Sequence, residues 1–84
     1  MNEPELKQKL KNFICRELLL EADYPITNDE PLLATGRLNS LLLIQLALYI
    51  EETFAVRVPN IDLTADHFET VDRMAAWITA SMQA

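Results

Sequence analysis

Apolar residues recur at spacings of three and four in three stretches of the chain, and each stretch opens behind a residue suited to cap a helix. In the first, Leu6, Leu10, Phe13, Ile14 and Leu18 form the stripe, Asn2 stands at the cap with Glu5 three residues on, and Pro4 lies in the first turn. The spacing predicts a helix from roughly Glu3 to Leu20. The periodicity then stops from Ala22 to Asn39, a segment holding Pro25, Asn28, Asp29, Pro31 and the only glycine, Gly36. Loops of this length usually carry function or wrap a core, and Ile26, Leu32, Leu33 and Leu38 favour wrapping.

The pattern resumes from Ser40 to Phe54 behind Asn39, whose side-chain oxygen can accept a hydrogen bond from an amide of the first turn. Val56 and Val58 alternate with Arg57 as a strand would, but Pro59 follows at once and no second strand candidate exists, so this is an extended linker. Thr64 to Phe68 fits one short helical turn. Thr70 caps a last helix carrying Val71, Met74, Ala75, Trp77, Ile78 and Met82. The expected fold is all-α, a small bundle of three principal helices plus one short helix. No repeat or boundary divides residues 1–84, which read as a single domain.

Composition narrows the function. With 84 residues, 50% of them hydrophobic, the chain supports one core near the lower size limit and leaves no room for a large internal active site. Seven basic residues against thirteen acidic ones give a net charge of −6, which repels nucleic-acid phosphates and anionic lipid and favours partners presenting Arg and Lys. A single cysteine closes no internal disulfide, and no basic start followed by an apolar run marks a secretory signal. No apolar stretch reaches the ~18 residues of a membrane span, because Leu41 to Ile50 is broken by Gln45 and ends at Glu51 and Glu52. A cytoplasmic, soluble monomer without membrane or nucleic-acid partners is expected.

An enzyme site needs a nucleophile with a base, or clustered metal ligands, and this chain has one His, one Cys and no glycine-rich phosphate loop. Catalysis by the chain itself and a metal site are therefore not expected. His67, beside Asp66 and Glu69, reads as a surface or loop-packing residue, and Cys15 as a small, partly buried apolar one. The sharpest local feature is Gly36-Arg37-Leu38-Asn39-Ser40-Leu41. A serine in a first helical turn is exposed, neighbours amides without helical partners, and lies at the positive end of the macrodipole, which favours an attached phosphodiester by ~0.3–1 kcal/mol. Asn and Ser are also ordinary capping residues worth ~1 kcal/mol each, so these six residues alone leave both readings open.

Across the whole chain, the pattern resembles the acyl carrier family, which includes peptidyl and aryl carrier domains. The matching run is Leu33-Ala34-Thr35-Gly36-Arg37-Leu38-Asn39-Ser40-Leu41, then Ile50-Glu51-Glu52-Thr53-Phe54-Ala55-Val56-Arg57-Val58-Pro59, then Leu63-Thr64 and Phe68-Glu69-Thr70-Val71. It spans roughly residues 5–80. The resemblance implies a phosphopantetheine arm attached to Ser40 by a separate transferase, with the arm's thiol carrying an acyl or aminoacyl thioester. An acyl or amino-acid ligase would load it, and downstream acyltransferase or synthase enzymes would use it in a specialised biosynthetic pathway.

Two departures stand out. The family usually has Asp before the serine; Asn39 keeps the cap and drops the charge. In fatty-acid carriers the partner-facing side of the second helix is rich in Asp and Glu. Here the core face holds Leu43, Leu46, Ala47, Ile50 and Phe54, while the side of Ser40 holds Leu41, Ile44, Gln45, Leu48, Glu51 and Glu52, with Leu42 on the far flank. Two arrangements remain open: Leu41, Ile44 and Leu48 form an apolar docking face, or the long loop and third helix cover the first two. Glu51 and Glu52 fit either an external Arg or Lys contact or solvated surface acids. The alternative function is an unmodified helical adaptor that binds a partner through the apolar face of the second helix.

Overall fold

The computed structural model describes residues 2–83. Helix α1 spans Glu3–Phe13, capped as expected: the Asn2 side chain accepts from the Glu5 amide at 2.8 Å, Glu3 and Glu5 occupy the first turn, and Lys11 the last. Leu6 and Leu10 are buried. The helix does not continue unchanged to Leu20. From Ile14 to Leu18 it widens into a π-helical turn that buries Ile14, Cys15 and Leu18. Leu20 then adopts a left-handed φ of 57°, and the Glu21 amide reaches back to the Cys15 carbonyl at 2.8 Å, one residue wider than an ordinary Schellman closure.

The loop from Ala22 to Asn39 wraps the core as its apolar residues predict: Leu32 and Leu38 are buried, and Ile26 and Leu33 pack against the cluster. Its backbone is tied at two points to the start of the last helix. The Leu32 amide donates to the Glu69 carbonyl at 2.9 Å, and the Asn28 carbonyl accepts from the Asp72 amide at 2.9 Å, supplying a first-turn amide of the last helix with a partner.

Helix α2 spans Ser40–Phe54 behind Asn39 and buries Leu43, Leu46, Ala47, Ile50 and Phe54, the core face the 100° stepping specifies. Ala55 ends it in the left-handed region at φ 56°. Val56 to Val58 run extended and unpaired, with Val58 buried. A 3₁₀ turn over Asn60–Asp62, which the sequence pattern did not indicate, leads to α3 (Ala65–Phe68), whose Phe68 is fully buried.

Thr70 caps α4 (Val71–Met82), accepting from the Arg73 amide at 3.0 Å. Val71, Met74, Ala75 and Ile78 enter the core, and Trp77 lies against Phe68 with ring centroids 5.7 Å apart. Met82, expected on the apolar stripe, is exposed, because the helix has by then run past the core. Helix α4 packs against α1 and α3. Lys7 bridges Asp72 at 2.8 Å, and Tyr49 of α2 stacks on Phe13 of α1 at 4.0 Å. No strand occurs among the described residues. The radius of gyration, 11.6 Å, matches the ~12 Å expected of one packed domain of this length.

Candidate attachment site

The six-residue junction is held from both sides before it reaches the serine. Gly36 takes φ 79°, a conformation an L side chain resists, and its amide closes a turn on the Leu33 carbonyl at 3.1 Å. Arg37 points outward, paired with Glu21 at 3.1 Å and stacked over the Tyr24 ring at 4.2 Å. The Tyr24 hydroxyl in turn donates to Glu30, and that bond, with desolvation behind it, raises the Tyr24 pKa. Leu38 turns inward, 2% exposed, with its amide on the Leu32 carbonyl at 3.0 Å. The next residue, Asn39, accepts from the Leu42 amide at 3.0 Å through its side chain and from the Leu43 amide at 2.9 Å through its carbonyl.

Ser40 is therefore the first residue of α2, exposed, and projected from a backbone fixed by one buried leucine and one cap. Among the described residues no hydrogen bond engages its hydroxyl. The Asn39 bonds satisfy Leu42 and Leu43, which leaves the Ser40 and Leu41 amides at the positive end of the helix for a phosphodiester. The donor set fits the group the resemblance implies.

Glu69 carries a role that the sequence reading missed. Its carboxylate accepts from the Leu33 amide at 2.6 Å and the Ala34 amide at 3.1 Å, while its carbonyl holds Leu32. One residue between α3 and α4 thus clamps the loop that ends in the junction. Its place just before the Thr70 cap is legible in sequence; its partners more than thirty residues upstream are not.

The face of α2 beside Ser40 is open. Leu41, Ile44 and Leu48 are 64%, 49% and 55% exposed, so neither the long loop nor α3 covers the first two. Gln45 and Glu52 are exposed beside them. Glu51 differs: it is half-buried and accepts from the Val58 amide at 2.8 Å, securing the chain after α2 rather than waiting for an external cation. Ile61, in the 3₁₀ turn, is 84% exposed and was not anticipated. An open cleft of about 190 Å³ lined by Ser40, Leu43, Ile44, Asn60 and Leu63 joins the start of α2 to that turn.

His67 is half-buried on α3. Cys15 is buried and donates to the Tyr24 carbonyl at 3.7 Å; desolvation raises its thiol pKa, so it is an inert core residue. Among the described residues no helix is long and apolar enough to cross a membrane.

The fold and site define a small helical module that presents one hydroxyl at a helix start. The profile of the phosphopantetheine attachment site matches residues 8–78, and the chain belongs to the phosphopantetheine-binding acyl and peptidyl carrier family. Such domains bear 4′-phosphopantetheine covalently and work with a phosphopantetheinyl transferase and catalytic partners, being carriers rather than catalysts. A comparison with curated proteins finds no match. Among solved structures, a chain in one described as "Crystal structure of FAD-dependent dehydrogenase" is 34% identical, with a TM-score of 0.73 over 81% of this chain and 96% of that one.

Proposed function

We propose that this chain is a carrier of a specialised biosynthetic pathway, with its arm on Ser40 and its cargo, an acyl or aminoacyl group, held as a thioester. The carrying observation is the exposed Ser40 hydroxyl at the start of α2, behind a junction fixed by Gly36, Leu38 and Asn39. In the transferase's site the Ser40 oxygen forms a bond to the phosphorus of coenzyme A next to the pantetheine. The bond from that phosphorus to the bridging oxygen of the pyrophosphate breaks, adenosine 3′,5′-bisphosphate leaves, and the serine proton passes to a base of the transferase. The Ser40 and Leu41 amides then face the new phosphodiester. Leu41, Ile44, Gln45, Leu48 and Glu52 form the partner face, so docking rests on apolar area more than on ion pairs. The whole of residues 1–84 acts as one cytoplasmic, monomeric domain.

Intact mass tests this reading. Incubated with coenzyme A and a broad-specificity transferase, the protein gains one phosphopantetheine and the Ser40→Ala variant gains none. A chain that several transferases leave unmodified would instead favour an unmodified adaptor using the same α2 face.

One observation favours a partner class. Since 81% of this 84-residue chain corresponds to 96% of its structural relative, that relative is a chain of about 71 residues, with too small a core to enclose a flavin dinucleotide. A chain of that size in a structure so titled supports a flavin-dependent dehydrogenase as the partner class proposed for this carrier. The thioester acidifies the cargo's α carbon. A base of the partner takes the α proton, the β carbon passes a hydride to the oxidised flavin, and an α,β-unsaturated thioester and reduced flavin result. Carrier-bound saturated cargo would lose the mass of two hydrogens with bleaching of the flavin; an unchanged mass beside an active flavoenzyme of this class would remove it as a partner.

A further inference from the structure

Helix α2 opens without an acid. The first turns of α1, α3 and α4 hold Glu3 and Glu5, Asp66, and Asp72, as the positive end of a helix favours, whereas the first turn of α2 holds none and its cap, Asn39, is neutral. From Leu38 to Ile50 no side chain carries a charge, in a chain with thirteen acids against seven bases. An aspartate at position 39 would cap α2 equally well and gain from the macrodipole besides. For the fold alone, Asn39 is the weaker choice.

The attached group reverses that order. Ser40 follows Asn39 directly, and a phosphopantetheine arm on its hydroxyl carries a negative charge at the phosphodiester. Position 39 is exposed, so a carboxylate there would meet that charge through water. Two unit charges a few ångströms apart in water repel about as strongly as a helix end attracts one of them. A charged cap would therefore lose beside the arm what it gains without it.

The carboxamide avoids that conflict and adds a donor. Its oxygen faces the Leu42 amide at 3.0 Å, so its nitrogen is turned from that bond, and among the described residues it meets no acceptor. Together with the Ser40 and Leu41 amides, which the cap leaves free, this nitrogen gives the start of α2 three donors and no carboxylate.

We infer that Asn39 is a positioning residue for the arm: it caps α2 without charge and donates through Nδ2 to the phosphodiester on Ser40. The inference deepens the carrier reading and rests on Ser40 being the attachment point, since the serine and not the helix start locates the phosphate.

Thermal midpoints are compared for the ¹⁵N-labelled full-length parent, Asn39→Asp and Asn39→Ser, each unmodified and after conversion with coenzyme A and a broad-specificity transferase, with one arm confirmed by mass. Asn39→Asp should raise the midpoint of the unmodified protein by roughly 2–6 °C and that of the arm-bearing form by less than half as much. The two gains should converge in ~1 M salt, where the screening length falls to ~3 Å. Asn39→Ser, a neutral cap of similar strength, should change both forms equally. In spectra of the parent, the side-chain amide of Asn39 should shift on conversion, while those of Gln8 and Asn12, bonded to each other on α1 at 2.9 Å, stay in place. A gain from Asn39→Asp as large with the arm as without it, or an Asn39 amide unmoved in fully converted protein, overturns the inference. A parent that gains no mass overturns the carrier reading itself.

Discussion

Two residues of this chain hold a backbone conformation that their side chains resist. Leu20 and Ala55 sit at φ 57° and 56°, and both are exposed, Leu20 at 79%. The left-handed region costs an L-residue ~1–2 kcal/mol, and glycine returns part of that relief as greater freedom in the unfolded chain. Leu20→Gly and Ala55→Gly are each expected to stabilise the protein by about 0.5–1 kcal/mol in urea denaturation, since neither removes much buried area. A loss of stability would show that the closure at Leu20 depends on its side chain.

Cys15 gives a pH dependence whose sign is fixed. Burial raises its thiol pKa above the ordinary 9.0, so the folded state favours the neutral thiol. That contribution is complete below pH 9 and lost as pH rises through the folded value. Tyr24, raised from 10.0 chiefly by its bond to Glu30, adds to the same alkaline limb. Stability followed from pH 8 to 11 should fall less steeply in Cys15→Ala than in the parent chain, and the native thiol should resist alkylation at neutral pH.

Among the elements, the long loop matters most because it ends in Ser40. Three residues govern its position: Leu32 and Leu38 by burial, and Glu69 by its carboxylate on the Leu33 and Ala34 amides. Glu69→Ala leaves those amides without their partner and is expected to cost about 1–3 kcal/mol, to speed hydrogen exchange at residues 33 and 34, and to slow transfer of the arm. Glu69→Gln keeps one acceptor oxygen and should lose less. Equal transfer rates in all three proteins would separate the loop clamp from Ser40 presentation.

This is also where sequence and structure part. The helices, their caps at Asn2, Asn39 and Thr70, and the α2 core face were legible because each depends on neighbours within a turn or two. The π-helical turn was not, since Phe13, Ile14 and Leu18 satisfy the ordinary helical period as well. Nor were the Glu69 clamp, the Glu51 bond to Val58 and the exposure of Ile61, all of which depend on how distant segments meet. Ser40 was marked by its helix-start position and by the family pattern; its cleft became visible only with the turn at Asn60–Asp62 in place.

At the scale of the molecule, the protein combines a net charge of −6 with an uncharged patch of Leu41, Ile44, Gln45 and Leu48 next to Ser40. Small size and an open face suit brief visits to several enzymes in turn. Leu48→Asp, at an exposed position, should leave thermal stability unchanged while raising the KM of a partner enzyme for the loaded carrier by about tenfold, equivalent to ~1.4 kcal/mol of lost docking. Glu52→Lys should have the smaller effect, and added salt should weaken docking little. A reversed order would mean that charge rather than apolar area guides the encounter.

The central claim is that Ser40 bears the arm, and site-resolved mass spectrometry of the transferase-treated protein tests it most directly. Trypsin cuts after Arg37 and Arg57, so Ser40 falls in the peptide Leu38 to Arg57, whose other hydroxyls belong to Tyr49 and Thr53. The account predicts one phosphopantetheine on that peptide, with fragmentation assigning it to Ser40 alone. An adduct on Thr53, on Thr35 in the neighbouring peptide, or on no residue at all would contradict it.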